Sequence, residues 1–78
     1  MTRGEFLGVL EDLMGADPGS LADSDSRDTV AGWSSLVDVQ ILGVVQSELG
    51  IEADEKLAEC ETVGELLNAL ASRSAFSA

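Results

Sequence analysis

The sequence predicts an all-α fold: a small four-helix bundle of three main helices and one short one, with a long loop between the first and second helices. Three observations lead there. Apolar residues recur at spacings of three and four, and no stretch alternates with the period of two that a strand needs. Two Thr-x-x-Glu patterns, Thr2 to Glu5 and Thr62 to Glu65, stand where helices would open. Gly15 and Gly50 stand where two of the runs would close, and the single proline, Pro18, falls in the connection between them.

The first helix is expected from about Arg3 to Met14, with Phe6, Leu7, Val9, Leu10, Leu13 and Met14 at helical spacing. The loop that follows, from Ala16 to about Ser34, carries Pro18, Gly19, Gly32 and the polar run Asp23-Ser24-Asp25-Ser26. Leu21, Val30 and Trp33 are its apolar anchors. Loops of this length are uncommon in compact domains and often functional. The second helix is expected from Ser35 to Leu49. Its apolar residues do not share one stripe: Ile41, Leu42, Val45 and Leu49 form one face, while Leu36, Val39 and the small Gly43 form another. A helix apolar on two sides has only one core to face in so short a chain, so the second face needs neighbours, a ligand or a partner to cover it. A short helical turn is expected at Asp54 to Glu59. The last helix opens at Thr62 and buries Val63, Leu66, Leu67 and Leu70 at i, i+3, i+4 and i+7. Residues 1–78 read as one domain with a core over about 3–71, and Ser72 to Ala78 as a fraying tail.

Composition excludes much. A chain of 78 residues buries only about 60% of its unfolded surface and cannot enclose a large active site. Four Lys plus Arg against fifteen Asp plus Glu leave a net charge of −11, which repels phosphate backbones and disfavours nucleic acid. With no His, the commonest general base and metal ligand is missing. The single Cys60 cannot form an internal disulfide, and as the only thiol it fits a reducing compartment. Beside Glu59 and Glu61 it reads as a small packed hydrophobe rather than a reactive thiol. A Ser nucleophile lacks a base, and the only Lys, Lys56, sits among acids. Asp23-Ser24-Asp25-Ser26-Arg27-Asp28 places acids alternately, as a calcium loop does, but lacks the central Gly and the twelfth-position Glu. No signal peptide is visible and no run approaches the ~18 apolar residues of a membrane span. The expectation is a soluble, cytoplasmic, monomeric, non-catalytic protein with basic partners.

The junction Gly32-Trp33-Ser34-Ser35-Leu36 places hydroxyls where a loop becomes a helix. A helix N-terminus presents unpaired N–H groups and about half a positive charge, and so accepts an anion such as a phosphodiester. On these residues alone, a simple N-cap role for Ser34 or Ser35 is the favoured reading, because Ser is a common cap.

Longer motifs bear on that choice. Ser34-Ser35-Leu36 continues as Val37-Asp38-Val39-Gln40-Ile41-Leu42, the helix closes with Glu48-Leu49-Gly50-Ile51, and Glu61-Thr62-Val63-Gly64-Glu65-Leu66 opens the last helix. In this order and spacing the chain resembles an acyl carrier protein over about residues 4–71. The resemblance implies that Ser35 is the attachment point for 4′-phosphopantetheine, transferred from coenzyme A by a phosphopantetheinyl transferase. The arm's thiol would hold acyl groups as thioesters for partner enzymes: an acyl-loading enzyme and enzymes of the ketosynthase and acyltransferase type. It further implies that Ile41, Leu42, Val45 and Leu49 line an acyl pocket. Leu36, Asp38, Val39, Gly43 and Glu48 would then meet partners, the two acids steering basic surfaces.

Departures refine the expectation. Ser34 stands where the family has Asp before the modified Ser, Val30-Ala31-Gly32-Trp33 replaces an Asp-Leu-Gly lead, and Gln40 and Gln46 replace acids. Trp33 before the motif looks like discrete carriers of polyketide or related specialised biosynthesis that bear small oxygenated acyl units. The alternatives are a peptidyl or aminoacyl carrier, which usually shows Gly-Gly before the Ser, and an unmodified acidic adaptor.

Overall fold

The computed structural model describes residues 1–76, and among them the fold is all-α: α1 (Arg3–Met14), α2 (Ser35–Glu48), the short α3 (Glu55–Ala58) and α4 (Val63–Ala71). Each start has a side-chain cap. Thr2 Oγ1 accepts from Glu5 N–H at 3.1 Å and Glu5 Oε1 accepts from Thr2 N–H at 2.8 Å, a reciprocal box that opens α1. That backbone donor holds the Glu5 carboxyl below the usual carboxylate range. At the other end Gly15 takes φ 70°, a left-handed conformation that a side chain disfavours, and turns the chain out of α1.

The box expected at α4 is half present. Thr62 caps Glu65 N–H at 3.1 Å, but the Glu65 carboxylate accepts from Glu61 N–H at 2.9 Å instead of from the cap residue. The loop takes over the rest of this helix start. Val63 N–H donates to Asp25 O and Gly64 N–H to Asp23 O, both at 2.9 Å, and Ser26 forms an isolated antiparallel bridge with Thr62. Thus the loop satisfies donors that α4 cannot satisfy internally.

α1 packs against α2, α2 against α3, and α3 against α4. The core takes Phe6, Leu10 and Met14 from α1, and Val37, Ile41 and Val45 from α2. Leu57 comes from α3, and Val63, Leu66, Leu67 and Leu70 from α4. Leu21 and Trp33, expected as loop anchors, are buried with them, and Val30 is half-buried. The periods are i, i+4 and i+8 on α1 and α2, so Val37 belongs to the inward stripe that the sequence reading had assigned to Ile41, Leu42, Val45 and Leu49.

Two tight approaches seat the loop. A Cβ on Gly32 would overlap the Met14 carbonyl, so only glycine lets the loop cross the end of α1 there. Glu11 is buried, and its Oε2 accepts from Leu21 N–H at 3.2 Å.

The expected tail instead holds contacts through Phe76. The rings of Phe6 and Phe76 lie 5.7 Å apart, Ala75 N–H donates to Leu70 O, and Arg73 pairs with Asp54 at 3.0 Å. Aromatic burial outweighs the small polar composition that suggested fraying. Positions 77 and 78 lie outside the described residues. Among those described, no helix is long and apolar enough to cross a membrane.

Candidate functional site at the head of α2

Ser34 and Ser35 take different roles. Ser34 has extended backbone and is the N-cap, its Oγ accepting from Val37 N–H at 3.4 Å. Ser35 is the first helical residue; it is exposed, and its hydroxyl has no hydrogen-bond partner among the described residues. The first helical hydrogen bond runs from Asp38 N–H to Ser34 O at 3.0 Å. The N–H groups of Ser35 and Leu36 therefore lie ahead of the ladder, open to an anion.

The face beside Ser35 is bare. Leu36 is 67% exposed and Val39 66%, and Gly43 one turn further leaves open space where a side chain would stand. Glu48 is exposed at the far end of α2. The second apolar face is thus uncovered, and the loop does not fold over it.

Asp38, expected either to meet basic partners, to sit on a solvated helix face or to serve as a first-turn acid favoured by the helix dipole, lies in the first turn and is turned into the protein. Its Oδ2 accepts from Arg27 Nη1 at 2.8 Å and its Oδ1 from Trp33 Nε1 at 3.0 Å. Both side chains of the ion pair are only about a fifth exposed, at 21% for Arg27 and 20% for Asp38. The reason is Arg27, which the sequence reading left unassigned. Its Nη2 donates to Ala58 O, the last carbonyl of α3, at 2.6 Å, and its Nε to Cys60 O, two residues past that helix, at 3.0 Å. Its guanidinium also lies 4.6 Å from the Trp33 ring centroid. The hydrogen bond to Asp38 pushes the Arg27 pKa up against the opposing effect of burial. One arginine therefore joins the loop, the head of α2 and the end of α3. By neutralising Asp38 it also offsets a negative charge one turn from Ser35. The available signal was a lone cation in an acid-rich loop, six residues before Trp33.

The four residues expected to line an acyl pocket face the interior. Ile41 and Val45 are fully packed at 3% and 0% exposure, and Leu42 and Leu49 lie half-buried against the same core. These side chains pack in the interior, and two surface clefts lie elsewhere, with none of the four in their walls. One cleft, of about 340 Å³, lies between the end of α1 and the end of the loop. The other, of about 460 Å³, lies along α1 with Val9 and Pro18 in its wall.

Cys60 is buried and its Sγ lies 3.5 Å from Lys56 O. Burial first, then the Glu65 and Glu59 charges, pushes its thiol pKa up, so it is a poor nucleophile at neutral pH. Two acids of the calcium-like run are engaged within the protein, while Asp28 is exposed. Asp23 pairs with Arg3 at 3.1 Å, and Asp25 accepts from Ala22 N–H at 2.8 Å. Comparison with protein-family models, with curated proteins and with solved structures finds no match.

Proposed function

We propose that this chain is an acyl carrier protein, modified on Ser35 with 4′-phosphopantetheine and serving polyketide or related specialised biosynthesis. The observation that carries the reading is the division between the two serines. Ser34 caps the helix, which leaves the exposed Ser35 hydroxyl unengaged at its positive end. The motif order noted in the sequence supports the same assignment.

In the proposed modification the Ser35 hydroxyl attacks the pantetheine-bearing phosphorus of coenzyme A. An O–P bond forms, the pyrophosphate P–O bond breaks, and adenosine 3′,5′-bisphosphate leaves. The hydroxyl proton passes to a base of the separate Mg²⁺-dependent transferase. The product is a phosphodiester monoanion, which the N–H groups at the head of α2 stabilise. Acyl groups then ride on the arm's thiol as thioesters. Tethering raises their effective concentration at each partner, and the chain itself catalyses nothing.

Leu36 and Val39, exposed beside the attachment point, supply apolar contact area for loading, ketosynthase-type and acyltransferase-type enzymes. Glu48, unlike Asp38, is free to meet a basic surface.

The test is modification followed by loading. A promiscuous phosphopantetheinyl transferase and coenzyme A should modify the wild type and Ser34→Ala but not Ser35→Ala. Modification of Ser35→Ala would refute the site. Loading by acyl donors supports an acyl carrier, and loading by aminoacyl donors alone would identify a peptidyl carrier instead.

A further inference from the structure

We propose that Arg27 is a positioning residue for the modification of Ser35: by binding Asp38 it neutralises a carboxylate that would otherwise oppose the phosphodiester formed three residues before it. This rests on the carrier reading of Ser35. Ser35 and Asp38 both lie in the first turn of α2, at i and i+3. Side chains at that spacing are neighbours on the helix surface, with about 5–6 Å between their Cβ atoms. An unpaired Asp38 would set its charge against two anions in turn, the pyrophosphate of the incoming coenzyme A and the phosphodiester left on Ser35. Like charges at this spacing oppose one another. The positive end of α2 that favours the phosphodiester favours the Asp38 carboxylate too, so the two anions compete for one dipole.

The loop removes that competition. Each Asp38 oxygen takes a donor from it: Oδ2 from Arg27 Nη1 at 2.8 Å and Oδ1 from Trp33 Nε1 at 3.0 Å. The guanidinium is held in place, because its Nε and Nη2 are fixed on Cys60 O and Ala58 O. The pair is also better shielded from water than Arg3–Asp23 or Arg73–Asp54, so salt screens it less. Asp38 is the only charged residue from Thr29 to Ser47. With Arg27 bound to it, the stretch that surrounds Ser35 is neutral within a chain of net charge −11. The same arginine also staples loop to helix, and the two roles separate at Asp38. Both partners of a staple matter alike, whereas only the cation of the pair helps an anion to approach Ser35.

The experiment measures kcat/KM for phosphopantetheine transfer from coenzyme A by a promiscuous transferase, read by intact mass. The chains compared are the wild type, Arg27→Ala, Arg27→Lys, Asp38→Asn and the double variant Arg27→Ala/Asp38→Asn, each checked by far-UV circular dichroism and urea titration. A unit charge about 6 Å from the reacting group, in a medium between bulk water and a protein surface, changes a rate by about three- to tenfold. Arg27→Ala should be slower by that factor. Asp38→Asn breaks the same bond from its other side, yet should be as fast as the wild type or faster. The double variant should return to within about twofold of the wild-type rate while staying less stable, a recovery that restored charge balance gives and a lost staple does not. Arg27→Lys should keep more of the rate than of the stability, because it restores the charge without the fork. Salt at about 0.5 M should narrow the gap between the wild type and Arg27→Ala. Slowing of Arg27→Ala and Asp38→Asn alike, without recovery in the double variant, would assign Arg27 to the fold alone and overturn the proposal, as would an Arg27→Ala rate equal to the wild type. If Arg27→Ala loses its helical signal, Asp38→Asn decides: a slower rate overturns the proposal and an equal or faster one supports it. A wild type that gains no mass would end the carrier reading and this one with it.

Discussion

Arg27 donates through Nη1 to Asp38 Oδ2 at 2.8 Å, and that bond fastens the middle of the long loop to the first turn of α2. The same guanidinium holds the last carbonyl of α3 and the Cys60 carbonyl just beyond it, so three segments share one side chain. Charge-assisted bonds of this kind each contribute about 1.5–3 kcal/mol, and removing one partner leaves the other charge stranded. Arg27→Ala should therefore lower unfolding stability by about 2–3 kcal/mol, read by urea titration of Trp33 fluorescence. Arg27→Lys should recover little, because an ammonium cannot span three acceptors as a planar fork does. A loss below about 0.5 kcal/mol, the range of ordinary surface changes, would contradict the role.

Two glycines should respond in opposite directions to the same substitution. Gly32→Ala sets a methyl group against the Met14 carbonyl, and backbone must move to relieve it. We expect a loss of about 2 kcal/mol or more, in the range of overpacked sites. Gly43→Ala meets open space within a helix and should stabilise by about 1 kcal/mol. Thermal melts of the two variants check both signs. A neutral Gly32→Ala would mean that the loop does not lie on α1 as described.

Much of this arrangement was legible beforehand. Period and caps placed α1, α2 and α4 to within a residue, because propensity, capping and core packing agree there. Phe76 was misjudged because its partner, Phe6, is seventy residues away, and composition carries no long-range contact. Asp38 stands in the first turn of α2, as the sequence allows, but the arginine that turns it inward comes from the loop, and composition does not show that contact. Glu11 shares the i, i+4, i+7 stripe of Leu7 and Met14, and that spacing was the signal of its burial. At the site, the sequence left open which serine caps and which is free, and the loop geometry assigns the cap to Ser34.

The Asp54–Arg73 pair at 3.0 Å should make stability fall in acid. The hydrogen bond from Arg73 holds the Asp54 carboxyl below its ordinary value of 3.8. A lowered folded pKa means that the stabilisation is complete above 3.8 and is lost as pH falls through the folded value. Asp54→Asn keeps an N-cap acceptor for α3 but removes the charge. Its melting temperature should lie below wild type at neutral pH, and the two should converge below 3.8. A constant gap across that range would assign the effect to the cap alone.

Leu36 and Val39 should matter to partners and not to the fold. Both are about two-thirds exposed, at 67% and 66%, so Leu36→Asp and Val39→Asp should change stability by less than about 0.5 kcal/mol. Under the carrier reading each should slow acyl transfer to a cognate enzyme at least tenfold, measured on the phosphopantetheinyl form. Unaltered transfer rates in both variants would remove this face from the proposed docking surface.

The central claim is that the Ser35 hydroxyl, left free by the Ser34 cap, takes up phosphopantetheine. Intact-mass measurement after incubation with coenzyme A and a promiscuous transferase tests it most directly. The account predicts one added phosphopantetheine, mapped to the peptide containing Ser35. A folded chain of unchanged mass, or an adduct on any other residue, would contradict it.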